Sequence, residues 1–211
     1  MMTLLSDLQK NKNTVSTAFG KKMAQEILNG KIDLVPAAIN LVNHPDVNVR
    51  AGAAKIVELV AEKKPHLISD NLETLFPALS VEESITKWVI IYVFGLCAQL
   101  QPAYAKKAFP YAEDFLTDDS LCLQDRAITY LGYIGALSQK EAARVFPILE
   151  KTLSSIPKRI TRIFEGFERM IPVMDTKQKN RMKKIAATYQ QNTSPSIAAY
   201  AKRILKQLEK H

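Results

Sequence analysis

Three histidines, two cysteines and an excess of cations are the side chains from which this sequence would have to build any chemistry. His44 stands in His44-Pro45-Asp46, His66 follows Pro65, and His211 comes last. None has a Cys, Ser or carboxylate at a helical spacing that would make a nucleophile and base pair. Cys97 and Cys122 lie among apolar residues without ligand-like spacing, and read as small core side chains rather than a disulfide or a zinc site. There is no glycine-rich phosphate loop, no G-x-S-x-G and no H-E-x-x-H. The sequence therefore assigns no catalytic residue, no cofactor and no metal, and the chain reads as a non-enzyme.

The cations are the informative set. Residues 1–155 carry 16 Lys and Arg against 17 Asp and Glu, whereas residues 156–211 carry 13 against 4. On a helix spanning 177–189, Met182, Ile185, Ala186 and Tyr189 define an inward side, and Lys177, Arg181 and Lys184 point the other way. In the final helix Lys202, Lys206 and Lys210 oppose Ile197, Ala201, Ile204 and Leu208, and Lys158, Arg159, Arg162 and Arg169 add a third row. A concentrated positive field raises the local concentration of anionic partners. The candidate binding residues are Lys158, Arg159, Arg162, Lys177, Arg181, Lys184, Lys202 and Lys206. Three readings stay open for them: a solvated terminal face, a site for an acidic protein surface, and a track for nucleic-acid phosphate. Tyr189 and Phe164 fall on apolar stripes and read as core, so few rings are left for bases to stack on.

These residues need helices to position them. Hairpin dipeptides and sustained alternation are missing, while apolar residues recur three and four apart almost everywhere, which predicts an all-α protein. Eleven consecutive residues, Trp88 to Ala98, are apolar or glycine. That is short of the roughly 18–20 residues a membrane span needs, and predicts instead a central helix covered on all sides. MMTLLSDLQKNKN lacks the basic-then-apolar order of a signal peptide, so the expectation is a soluble cytoplasmic protein without a membrane anchor.

Helices are predicted over about 3–10, 14–28 (with Val15, Ala18, Phe19, Met23 and Ile27 on one side, stopping at Asn29-Gly30), from Asp33 as N-cap, and over 47–62 with Asp46 as N-cap. An apolar residue followed by proline recurs as Val35-Pro36, Phe76-Pro77, Phe109-Pro110 and Phe146-Pro147, in steps of 41, 33 and 37 residues. Each is followed by an apolar stretch, a polar turn and a cation, Arg50, Lys87, Arg126 or Arg162, in steps of 37, 39 and 36. The prolines should kink or restart the second helix of each copy, because they remove a backbone donor. The chain divides into copies at roughly 14–43, 46–80, 83–117, 120–154 and 157–191 with a capping helix at 195–210. This gives about ten or eleven helices in a single domain, 1–211.

Period, proline and arginine together resemble the HEAT-repeat family of α-solenoids, most closely over VPAAINLVNHPDVNVRAGAAKIVEL, Val35 to Leu59. The resemblance implies an α-α superhelix of about five hairpins, right-handed, with second helices lining a concave surface. It also implies pairing of acidic and basic residues within and between repeats. Asp46/Arg50 and Glu83/Lys87 keep the four-residue spacing, Cys122 and Lys158 replace the acid in later copies, and Asp125 beside Arg126 is a substitute candidate. A family of alkylated-base DNA glycosylases shares this architecture and pairs aromatic residues with an aspartate one turn along the same helix. Trp88 and Tyr92 have the spacing, but that carboxylate is missing.

The function expected is a non-enzymatic scaffold or adaptor that binds another protein, one with an acidic surface, along the solenoid. The alternative is a nucleic-acid-binding repeat protein using the basic C-terminal quarter. A hairpin cannot bury its apolar stripe alone and gains most of its stability from the next one. Deleting residues 192–211 should therefore cause aggregation measurable by light scattering, whereas loss of an independent tail would leave a monodisperse protein.

Overall fold

The computed structural model describes residues 4–10 and 17–210. The recurring apolar residues become fourteen α-helical segments, with no strand among the described residues. They are α1 (Leu4–Lys10), α2 (Thr17–Leu28), α3 (Leu34–Leu41), α4 (Val47–Lys63), α5 (His66–Ser69), α6 (Leu72–Leu75) and α7 (Ser84–Leu96). There follow α8 (Pro102–Lys107), α9 (Phe109–Phe115), α10 (Leu121–Gly135), α11 (Gln139–Ser155), α12 (Ile160–Met170), α13 (Thr176–Tyr189) and α14 (Pro195–Leu208). The expected residues 3, 14–16 and 211 lie outside the described ones. The number exceeds the expected ten or eleven in part because two stretches, 66–75 and 102–115, are each divided into two short helices. Pro77 sits in a 3-10 turn, Phe76–Leu79, after two single-turn helices, and Pro110 restarts the chain as α9 directly after α8. At Pro147 the expected restart does not occur, and α11 runs through the proline as one 17-residue helix.

Helix ends follow local chemistry. α2 stops at Gly30, whose φ of 119° lies in the left-handed region, with the Gly30 and Lys31 amides donating back to the Ile27 and Glu26 carbonyls. The Asp46 carboxylate caps α4 by accepting from the Asn48 and Val49 amides. Asp33 does not cap α3. Its backbone is already helical (φ −59°, ψ −21°), so its side chain makes no capping bond.

The chain forms two compact units, Met1–Arg126 and Ala127–His211, with the boundary inside α10. In the first, α2, α4 and α7 pack side by side, with α3 and α1 against α4 and the Phe76–Leu79 turn against α7. Val49, Ala53, Ile56, Val57 and Val60 of α4 are all buried. On α7, Val89, Ile90, Ile91, Val93, Phe94 and Gly95 are buried, but the helix is not covered all round as expected. Trp88 and Tyr92 are only half-buried. Cys97 is core, its thiol pushed up to about 12 by burial, whereas Cys122 at the start of α10 is exposed, contrary to the expectation for both. In the second unit α11 packs on α12, and α12 and α13 on α14. Their contacts bury Leu149, Ile163, Phe164, Phe167, Met182, Ala186, Ala201 and Ile204.

The expected pairs at four-residue spacing, Asp46/Arg50 and Glu83/Lys87, do not form, and Arg50 pairs with the next copy instead. Arg50 does not bridge to Asp46. It forks onto Glu83 through Nε and Nη2, both at 2.8 Å, and donates to the His44 and Pro45 carbonyls through Nη1. Asp46 is occupied with the α4 amides. Lys87 likewise leaves Glu83 to Arg50 and lies over the Phe115 ring at 5.8 Å. Burial pushes the Glu83 carboxyl up, but hydrogen bonds from Arg50 and Thr86 outweigh it and hold the group below the usual carboxylate value.

Two predictions follow from this packing. A Cβ on Gly132 would stand 2.7 Å from the Gly166 Cα, so Gly132→Ala must push α10 and α12 apart and should cost about 2 kcal/mol. The expected drop in Tm is roughly 4–8 °C. Gly52→Ala is the comparison, since its Cβ would meet only the flexible end of Leu8. A carboxylate with a depressed folded pKa contributes stability above its unfolded value of about 4.3, lost as pH falls through the folded value. Urea titrations below about pH 4.5 should therefore show a shallower acid loss for Glu83→Gln than for the unaltered protein.

Candidate functional site

α13 starts where Asp175 and Gln178 cap each other. Asp175 Oδ1 accepts from the Gln178 amide at 2.7 Å and Gln178 Oε1 from the Asp175 amide at 3.0 Å. This fixes the helix with Met182 and Ala186 buried, Ile185 and Tyr189 half-buried, and Lys177, Arg181 and Lys184 exposed. Phe164 is core as expected, and the half-buried Tyr189 meets its ring edge-on at 5.2 Å. The exposed side of α13 and the Ala143–Glu150 stretch of α11 enclose a groove of about 910 Å³. Its apolar side is Ala143, Phe146 and Pro147, and its polar side includes Lys177, Arg181 and Lys184 with Glu150 and Asp175. Pro147 has no amide hydrogen, so the Ala143 carbonyl loses its helical donor at the groove wall.

The structure brings together only part of the predicted cationic set. Lys177, Arg181 and Lys184 share the groove. Lys158 and Arg159 lie in the 3-10 turn Pro157–Arg159 between α11 and α12, Arg162 is on α12, and Lys202 and Lys206 are on α14, none of them lining it. A single track through Lys177, Arg181, Lys184, Lys202 and Lys206 is therefore not formed at the groove. Several arginines are also engaged internally. Arg181 pairs with Glu150, Arg162 with Glu165 at 2.8 Å, and Arg203 forks onto Glu168 at 2.6 Å through Nε and Nη2. Tyr200 donates to Glu165 at 2.6 Å. Burial pushes the Glu165 carboxyl up, but its bonds from Tyr200 and Arg162 hold it below the ordinary range. Lys158, Lys177, Lys184, Lys202 and Lys206 are exposed and have no carboxylate within salt-bridge distance among the described residues.

A second polar cluster lies in the first unit, and sequence reasoning missed it. Glu58, in the middle of α4, is 0% exposed, with Oε2 taken by Lys55 Nζ and Oε1 by Arg126 Nη2 at 2.8 Å. The Arg126 guanidinium carbon lies 3.9 Å from the centre of the Tyr92 ring and 5.4 Å from that of Trp88, and Lys55 approaches Trp88 at 6.0 Å. The carboxylate beside the two aromatics thus comes from a different helix, 30 residues before Trp88. Arg126 uses Glu58 where Asp125 had been the candidate. The signal in the sequence was a lone acid inside the otherwise apolar run IVELVA, Ile56 to Ala61.

Among the described residues, no group of three His, Cys, Asp or Glu side chains is placed to hold a metal, and no helix is long and apolar enough to cross a membrane. No protein-family model matches the chain, and no curated protein matches it by sequence. Solved structures do resemble it. A designed armadillo repeat protein in complex with the peptide (KR)4 superposes with a TM-score of 0.71 at 12% identity, covering 98% of this chain and 100% of its own. A further designed armadillo repeat protein gives 0.69 at 14% identity with the same coverage. A computationally designed armadillo repeat protein for modular peptide recognition gives 0.67 at 14%, covering 96% of this chain and 97% of its own. The likeness shows the fold, an all-α superhelical solenoid of the armadillo and HEAT kind.

Proposed function

We propose that the protein is a non-enzymatic binding scaffold that holds an acidic segment of another protein in the groove between α11 and α13. One observation carries this reading: an apolar floor, a backbone carbonyl without its helical donor, and two lysines without internal partners line the same groove. An extended peptide offers the matching chemistry, with apolar side chains for Phe146 and Pro147, an amide hydrogen for the Ala143 carbonyl, and carboxylates for Lys177 and Lys184. Peptide binding by structurally similar designed repeat proteins supports a protein partner in general. Their basic (KR)4 ligand would suit this groove poorly, because its rim carries more positive than negative groups. Function in the cytoplasm is part of the same proposal.

The test is fluorescence anisotropy with three labelled probes, a peptide alternating Glu and Leu, duplex DNA and single-stranded RNA, between about 50 and 200 mM salt. The acidic peptide is expected to bind with moderate salt dependence, and Lys177→Glu with Lys184→Glu should raise its Kd by about tenfold or more, or roughly 1.4 kcal/mol. Unchanged peptide binding in that variant would overturn the groove assignment. Tight, steeply salt-dependent binding of DNA or RNA would transfer the function to nucleic acid.

A further inference from the structure

We infer that Lys55, Trp88, Tyr92 and Arg126 form a second binding site, a receptor for one carboxylate carried by a peptide whose neighbouring apolar side chain packs on Trp88. The inference stands on the first unit and is independent of the α11–α13 groove.

A carboxylate at 0% exposure must be removed from water, and a hydrocarbon side chain of similar volume would serve the packing of α4 at least as well. What Glu58 does that a hydrocarbon cannot is hold two cations in fixed positions. Lys55 and Arg126 keep 19% and 28% of their side-chain surface exposed while their charged ends are anchored on the same buried group. The anchoring leaves donors unused. Arg126 spends Nη2 on Glu58 while Nε and Nη1 reach no acceptor among the described residues, and Lys55 Nζ donates one of its three hydrogens. Two cations share one carboxylate, so the three charged groups together carry one net positive charge. The guanidinium carbon is also held 3.9 Å from the Tyr92 ring centre and 5.4 Å from that of Trp88, and a group anchored in advance loses less entropy on binding.

Charge selects the class of partner. Residues 1–126 carry 13 Lys and Arg against 15 Asp and Glu, so this unit as a whole repels a polyanion such as nucleic acid. An isolated positive spot on an otherwise acidic unit fits a single carboxylate, from a Glu or Asp side chain, and the half-buried Trp88 supplies the apolar contact that a peptide uses and a small free acid does not.

Trp88 is the only tryptophan, so its emission reports on this site directly. The full chain is titrated with N-acetyl-Leu-Glu-Leu-amide, its Gln analogue, sodium acetate and a twelve-residue oligothymidylate. Expected are a saturable change in Trp88 emission with the Glu peptide and binding about tenfold weaker or more for the Gln analogue and for acetate. Arg126→Lys, which keeps the charge but loses the planar guanidinium, should weaken the Glu peptide by a similar factor, and Lys55→Gln by roughly threefold or more. Lys177→Glu with Lys184→Glu should leave the Trp88 response unchanged even if groove binding is lost. Far-UV circular dichroism verifies that each variant is folded, and the Glu/Gln comparison on the unaltered protein decides the question without any variant. No saturable response to the Glu peptide, an equal response to its Gln analogue, acetate binding as tightly as the peptide, or preference for oligothymidylate would each overturn the inference.

Discussion

Each helical layer of this protein is too thin to keep its own apolar side chains dry, and the rest of the structure depends on that constraint. α4 carries Val49, Ala53, Ile56, Val57 and Val60 as fully buried residues, and it buries them only by packing on α2, α3 and α7. At about 1.5–3 kcal/mol for each large aliphatic side chain removed from water, this interlayer burial outweighs any single ion pair in the chain. The second unit uses the same device, with Ile163, Phe164 and Phe167 of α12 covered in part by α11 and α14.

Interlayer burial also decides where charges go. Once the apolar faces are together, cations and carboxylates meet at the seams between helices, and the partners lie a repeat or more apart in sequence. Arg50 and Glu83 are 33 residues apart, Arg181 and Glu150 31, Arg203 and Glu168 35, and Arg126 and Glu58 68. Pairing does not remove the excess of cations counted along the chain, but it decides which of them stay uncompensated. Arg162, Arg181 and Arg203 are neutralised within the second unit, and lysines carry the uncompensated charge. Lysine is a flexible point charge rather than a fixed fork, so these charges can adjust their positions.

The two polar sites differ in how they are built. In the α11–α13 groove the lysines are exposed and free to adjust, and a proline within α11 opens a backbone acceptor beside them. Around Glu58 the cations are locked by a buried carboxylate and two aromatic rings. The first arrangement favours tolerance of sequence, the second favours one group in one position.

By itself the sequence determined the all-helical class, the caps at Asp46 and Gly30, the inward faces of α13 and α14, and the repeat. These follow from spacing of three and four residues, from side chains that bond their own backbone, and from one glycine needed at positive φ. Tertiary packing decided the rest. Whether Arg50 pairs with Asp46 or Glu83 depends on which acid the next helix presents and on whether Asp46 is already occupied by amides, and four-residue spacing contains neither fact. α11 continues through Pro147 with Phe146 and Leu149 buried on either side of it, while Pro110 began a new helix. Of the eight cations singled out, only Lys177, Arg181 and Lys184 share a groove, since the others stand on α12, α14 and an intervening turn. Glu58 is the clearest case. Its meaning lies in Arg126, 68 residues away, and no local pattern could join them until the helices between had packed.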